Sequence, residues 1–364
     1  MHCQCVHEFG RPLRSDDRPD LAPQGTEVVL SVTAAGVCHT DLHIRDGGYD
    51  LGRGRKLEFA KRGISLPLVM GHETAGKVVA TGPDAGNIDT RKTYVVYPWI
   101  GCGTCAVCKG GNEQLCGTPK FLGIHVDGGY ATQIRVPHPK YLFEIGNMPP
   151  ETAAPLACSG LTAFGALKKV ENTLKDHAPL IIGAGGLGLM CAQLLRAMGA
   201  QAPVFVDLDP VKREAALAAG ACAAIDPSAP DVVAEIHAAA GGAPLAVIDF
   251  VGAETTAELG FNAVSKGGTY VVVGLFGGGA PWSLPLIALK SITIRGSYAG
   301  SPGEFAQLME LARKGEISPI PTTRYQLDEA EAVLNRLAEG KIIGRAVLTG
   351  VGDYLPEAAD QRVR

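Results

Sequence analysis

The chain has 364 residues, 46% of them hydrophobic and 19% charged, with a formal net charge of −4. That length exceeds what one hydrophobic core usually organises, so two domains are expected. The slight acidic balance offers no basic stripe for nucleic acid or an anionic membrane, and no run reaches the roughly 18 apolar residues of a membrane helix.

The first ten residues have no apolar core like that of a signal peptide, so the chain is expected to be cytoplasmic. Ten cysteines in that compartment favour metal binding or catalysis over disulfides. Cys3 and Cys5 are expected on the first strand and belong to no motif. Residues 27–37 (EVVLSVTAAGV), 73–81 (ETAGKVVAT) and 93–97 (TYVVY) read as strands, with alternation and β-branched side chains. Between them, the polar, basic, Gly-containing stretch 45–66 reads as a solvated surface excursion. The first 150 residues are therefore strand-rich.

Cys102, Cys105, Cys108 and Cys116 follow, spaced C-x2-C-x2-C-x7-C. Four thiolates on one loop close a tetrahedron around zinc and leave no open position, which makes the site structural. Their net charge with the ion is −2, to be offset by backbone N–H groups and Lys109. Trp99, just before the loop, is a candidate wall of a substrate cleft.

Near Glu151 the pattern changes to alternating strands and helices. Strands are expected at 180–183, 204–206, 223–225, 245–250 and 269–273, and helices at 187–198, 210–219 and 232–239. This rhythm implies a doubly wound parallel sheet. Helices at 304–314 and 327–339 then lead to a final strand at 344–349. Cys191 and Cys222 are read as small core residues, and His125 and His138 as isolated, without a catalytic role.

The segment Leu-Ile-Ile-Gly183-Ala-Gly185-Gly186-Leu187-Gly188 places G-x-G-G-x-G between a strand and a helix. Gly183 permits the turn, Gly185 lets the backbone reach a pyrophosphate, and Gly188 lets helix and strand pack closely. The anion then meets the positive end of the helix. Asp207, 24 residues beyond Gly183, stands where a carboxylate accepts both ribose hydroxyls of an adenosine half. Its charge favours NAD over NADP, although Lys212 and Arg213 stand nearby.

Cys38, His72 and Cys158 could supply three donors with a fourth position open, the pattern of a catalytic zinc. Spacing alone does not establish that they converge.

Taken together, Cys38-His39-Thr40-Asp41, Gly71-His72-Glu73-x-x-Gly76, the four-cysteine loop, the Gly183–Gly188 turn and Asp207 resemble the zinc-dependent medium-chain alcohol dehydrogenases along nearly the whole chain. The resemblance implies a GroES-like β-rich catalytic domain, 1–155 and 299–364, around a Rossmann cofactor domain, 156–298. It implies two zinc ions per subunit, NAD, and a homo-oligomer, with a tetramer favoured over a dimer. It gives Cys38, His72 and Cys158 the catalytic zinc. Glu73 and Asp41 stand behind these ligands, with Asp41 fixing the His72 tautomer. Thr40 matches the hydroxyl that takes the alcohol proton, and His43 the surface end of the relay. His39 and Arg345 match positions on the pyrophosphate. Thr162, Gly186, Leu187, Lys212, Val251, Val273 and Leu275 match the rest of the cofactor site, and Tyr298 is a further pocket or interface candidate. One departure is the turn Asp89-Thr-Arg91-Lys92-Thr93, where relatives carry Gly-Asp; only a changed surface turn is expected.

The implied activity is reversible hydride transfer between a primary or secondary alcohol and NAD⁺, giving an aldehyde or ketone. The alternative is a specialised dehydrogenase for a cyclic alcohol, a polyol or an aldehyde. Cys158 as third donor leans away from polyols, where an acidic residue is common. A zinc-ribbon module for nucleic acid is opposed by the acidic balance. A catalytically dead relative is opposed by the presence of Cys38, His72, Cys158, Thr40 and His43.

Overall fold

The computed structural model describes residues 1–280 and 282–350. Its largest sheet is built around Val28–Val37, whose β-branched run is buried on most positions. Glu73–Thr81 pairs along one edge of this strand. On the other edge Gln133–Val136 pairs with its first half and Arg345–Thr349 with its second. Thr93–Val96 and Leu142–Glu144 extend the sheet beyond Glu73–Thr81. Thr322–Gln326 adds a parallel strand beside Arg345–Thr349, the crossover being the Ala330–Ala338 helix. The end of the chain thus returns to the sheet begun by its first third.

Leu180–Ile182, Val204–Val206, Ala223–Ile225, Ala246–Asp249, Thr269–Val272 and Thr293–Gly296 form a separate, all-parallel sheet. Numbered within that sheet, its strands lie in the order 3-2-1-4-5-6, the doubly wound dinucleotide-binding arrangement. Alternate residues serve opposite cores. Ile181, Phe205, Ile248 and Val271 join the core shared with the antiparallel sheet; Leu180, Val204, Val247 and Tyr270 join the other. The buried helix Ser159–Lys168 packs on Gly186–Ala197 and on Pro302–Arg313, and so couples the two sheets.

The expected strands and helices are present with ends shifted by at most two residues, except that the helix expected at 327–339 opens as a 3-10 turn, Leu327–Glu329, before Ala330–Ala338. Stretch 45–66 is more ordered than a plain excursion. It completes the helix His39–Asp46, then forms a hairpin of Gly48–Asp50 with Lys56–Glu58 and a turn at Phe59–Arg62. Its tip rests on the parallel-sheet side, where Gly278 N–H donates to the Asp50 carbonyl at 3.3 Å. Its charged residues are exposed, as expected, except Arg45, which is mostly buried and pairs with Glu331 at 3.1 Å. Cys191 is core, but Cys222 is exposed at a turn, its thiol capping the Ala202 and Pro203 carbonyls at 3.4 Å, which corrects the core reading. Asp89 closes its turn through Arg91 Nε and Nη2, both at 2.9 Å. No helix among the described residues is long and apolar enough to cross a membrane.

Candidate active site

Cys38 directly follows the central strand and caps the helix His39–Asp46. Asp41, at the third helical position, accepts the Cys38 N–H at 2.9 Å through Oδ2. Tyr130 Oη donates to the same oxygen at 2.9 Å. The remaining oxygen, Oδ1, lies 3.2 Å from His72 Nδ1. Asp41 therefore orients the imidazole with Nδ1 turned away from the cysteines. Burial alone would lower the pKa of His72; the Asp41 carboxylate outweighs it and holds the value well above the ordinary one.

Among the described residues neither ring nitrogen of buried His72 has a hydrogen-bond partner; Nδ1 has its 3.2 Å ion-pair contact with Asp41 Oδ1, and Nε2 is left free. Cys38 Sγ and Cys158 Sγ stand 3.9 Å apart, and the donor atoms of Cys38, His72 and Cys158 lie within 4.8 Å of one another. A thiol hydrogen bond from Cys158 holds Cys38 well below its usual range and pushes Cys158 up. Two thiols, one of them already favouring the thiolate, and an orphaned imidazole nitrogen fit a zinc ion. Glu73 also lies within that group, but Arg345 takes both its oxygens and Ser159 N–H donates to Oε1 at 3.2 Å. Burial pushes the Glu73 carboxyl up, and the Arg345 guanidinium opposes that shift.

These residues sit against a cleft of about 1020 Å³ between the two sheets. Cys38, Cys158, Thr40 and His43 line its floor, while His72, Asp41 and Glu73 lie buried behind. The same cleft is lined by His39, Thr162, Gly183, Gly185, Gly186, Leu187, Gly188, Asp207, Lys212, Val251, Val273, Leu275 and Arg345. Gly183 has φ +95°, and a Cβ there would stand 2.8 Å from Val251 Cγ2; at Gly188 a Cβ would stand 2.0 Å from the Gly183 carbonyl. At Gly185 a Cβ would meet no atom of the described residues within 4 Å, which leaves room for a phosphate at the start of the Gly186–Ala197 helix.

Asp207 Oδ2 accepts the Ala184 N–H at 2.8 Å, so the carboxylate is held beside the glycine turn. Arg213 is committed to other acceptors. Its Nη1 bonds the Asp207 and Leu208 carbonyls, each at 2.8 Å, and pairs with Asp226 at 3.1 Å.

Trp99 donates its indole N–H to the Ala157 carbonyl at 3.0 Å, and its ring lies 5.5 Å from His72 and 5.6 Å from Tyr298. Phe121 packs edge-on against Trp99 at 5.4 Å and His125 against Phe121 at 5.2 Å, though neither is among the residues lining the cleft. Neither residue carried a motif in the sequence.

The four loop cysteines also converge, with Cys102–Cys108 and Cys105–Cys116 sulfurs 4.0 Å apart. Backbone N–H groups of Cys102, Cys105, Cys108 and Thr118 donate to these sulfurs at 3.3–3.5 Å. Glu113 braces the loop. It accepts from Gly101 N–H at 3.1 Å, Tyr141 Oη at 2.6 Å and Lys140 Nζ at 2.9 Å.

Residues 24–147 match the alcohol dehydrogenase GroES-like domain, and residues 186–314 match the zinc-binding dehydrogenase family. The chain belongs to the zinc-dependent medium-chain alcohol dehydrogenases. A relative from Sulfurisphaera tokodaii, an NAD-dependent alcohol dehydrogenase, is 37% identical over 96% of this chain and 99% of its own length. Another of that name, from Saccharolobus solfataricus, is 38% identical over 94% of this chain and 97% of its own. The crystal structure of the alcohol dehydrogenase from Aeropyrum pernix superposes with a TM-score of 0.87 at 28% identity, covering 96% of this chain and all of that one. In this chain the donors of Cys38, His72 and Cys158 are set around one point and the four loop cysteines around another.

Proposed function

We propose that the protein is an NAD-dependent zinc alcohol dehydrogenase that transfers a hydride reversibly between an alcohol and the nicotinamide, giving an aldehyde or ketone. The observation that carries this reading is the placement of Cys38, Cys158 and the orphaned His72 Nε2 beside the cleft that the glycine turn also lines. When bound at Cys38, His72 and Cys158, Zn²⁺ supplies a Lewis acid for the substrate oxygen. NAD supplies the hydride acceptor.

The protein's own part is positioning and proton handling. Thr40 and His43 lie three residues apart on one helix face, and both line the cleft. Thr40 takes the alcohol proton and His43 passes it to solvent. Asp207 binds the adenosine ribose, and the commitment of Arg213 to Asp226 leaves a 2′-phosphate opposed by the Asp207 charge, which supports NAD over NADP. The main-chain N–H groups at Gly185–Gly188 receive the pyrophosphate, with His39 and Arg345 at its flank. Trp99 and Tyr298 wall the substrate side and exclude water.

In this reading 1–155 and 299–364 form the catalytic domain and 156–298 the cofactor domain. The return of Thr322–Gln326 and Arg345–Thr349 to the first sheet supports that division; residues 351–364 lie outside the described part. The Thr293–Gly296 strand is an edge of the parallel sheet, and the neighbouring helix leaves Leu284 at 77% and Leu289 at 70% exposure. An open edge beside an apolar face supports a homo-oligomer, and the family resemblance favours four chains. The cysteines are all unpaired, which accords with the cytoplasm.

The deciding experiment follows NADH formation on primary, secondary, cyclic and aromatic alcohols, with and without a zinc chelator. Chelator-sensitive turnover with NAD⁺, and little with NADP⁺, is expected. No turnover on any alcohol by zinc-replete protein would overturn the assignment.

A further inference from the structure

Away from the cleft, the N-terminal strand His2–Val6 places Cys3, Cys5 and the following His7 at alternate positions, so their side chains share one face. Arg14–Asp17 pairs antiparallel with it, and Asp16 stands opposite Cys3. Directly paired residues project to the same side of a sheet. The hairpin thus gathers two thiols, an imidazole and a carboxylate.

Three of these side chains bring their donor atoms together. Cys5 Sγ, a His7 ring nitrogen and an Asp16 oxygen lie within 4.8 Å of one another. His7 Nε2 is 2.9 Å from Asp16 Oδ1 and 3.0 Å from Oδ2. Cys3 Sγ lies outside that group of three, but it is 3.6 Å from Cys5 Sγ and 3.4 Å from the Asp16 carbonyl. Two thiolates on one tetrahedral zinc, each with a bond of about 2.3 Å, stand roughly 3.8 Å apart. The sulfurs at the other two centres are spaced alike, at 3.9 and 4.0 Å.

Arg18 decides the charge. Its Nη2 donates to Cys5 Sγ at 3.2 Å and to Asp16 Oδ2 at 3.3 Å, while Nη1 is anchored on Asp127 at 3.1 Å. A divalent ion held by two thiolates, one carboxylate and a neutral imidazole leaves one negative charge. A guanidinium donating to that sulfur and that oxygen cancels it, as backbone N–H groups temper the four-cysteine loop.

We propose that Cys5, His7 and Asp16, with Cys3 as fourth donor, form a third zinc site in this chain, with Arg18 as its charge-balancing partner. Sulfur, imidazole and carboxylate donors suit zinc over magnesium or calcium. Cys3 and Cys5 are fully buried beneath partly exposed His7 and Asp16, so the site is closed and structural, pinning the first strand to the segment that follows it. No residue of this hairpin lines the cleft.

The test is zinc content per chain by elemental analysis, after equilibration of the full-length protein in one zinc-buffered solution. Wild type, His7→Ala and Cys5→Ser are compared. His7 is partly exposed, so His7→Ala is expected to fold even if Cys5→Ser does not. Wild type should carry one zinc more than either variant, with alcohol turnover of His7→Ala unchanged. Equal zinc in wild type and folded His7→Ala would overturn the site.

Discussion

Arg345 grips Glu73 with two N–H donors, Nε to Oε2 at 2.9 Å and Nη2 to Oε1. Glu73 is fully buried and Arg345 nearly so. The pair ties the last described strand to the residue directly after His72, so the return of the chain end is coupled to the metal centre. Removing one partner of a buried ion pair strands the other charge, at a cost of about 3–5 kcal/mol. Glu73→Ala and Arg345→Ala are each expected to lose about that much in denaturant unfolding. The double variant should lose clearly less than the sum, because it strands neither charge. Strict additivity would show that the two do not act as a pair.

Gly185 separates binding from stability. A Cβ there meets no atom of the described residues within 4 Å, so Gly185→Val should leave the thermal midpoint within a few degrees of wild type. The added side chain fills the phosphate cradle and should raise the KM for NAD by about tenfold or more, the loss of about 1.4 kcal/mol of binding. An unchanged KM would place the pyrophosphate elsewhere.

Much of this arrangement is legible in the chain because its signals are local. The glycine turn, the four-cysteine loop and the apolar strands each lie within a short window. What stayed hidden depends on contacts far apart in sequence. Tyr130 reaches Asp41 across 89 positions, and nothing around Tyr130 marks it as a partner of a zinc ligand's support. Thr322–Gln326 and Thr293–Gly296 are edge strands with several exposed positions, so they lack the apolar signature by which the central strands were found. Cys222 was misplaced because a free cysteine carries no periodicity of its own.

Glu113 gives the cysteine loop a defined pH dependence. Burial alone would raise its pKa; the bonds from Tyr141, Lys140 and Gly101 outweigh that and hold it below the ordinary carboxyl value. The folded value being the lower one, its stabilisation is complete above the unfolded value and fades as the pH falls through the folded one. Wild type and Glu113→Gln should therefore differ most in thermal midpoint near neutrality and converge in acid. The comparison cancels acid loss of zinc, which both share. A difference that grew toward low pH would contradict the assigned sign.

Proton transfer can be separated from metal binding at Thr40 and His43. Neither belongs to the donor set around His72 Nε2, so both variants should retain full zinc. Burial pushes the His43 imidazole below its ordinary value, so it is neutral near pH 7 and free to accept a proton. Thr40→Ala removes the first acceptor and should lower kcat by about 10²–10⁴. Thr40→Ser restores the hydroxyl and should recover most of it. For His43→Ala the effect should be smaller at high pH, where hydroxide accepts the proton directly, and larger toward neutrality. Since the folded His43 value is depressed, its neutral form persists into mild acid, and the wild-type acid limb should lie below the ordinary histidine range. The profile is best read from single-turnover NADH formation, which isolates chemistry from product release. Identical profiles for wild type and His43→Ala would remove His43 from the relay and leave Thr40 to deliver the proton to solvent without it.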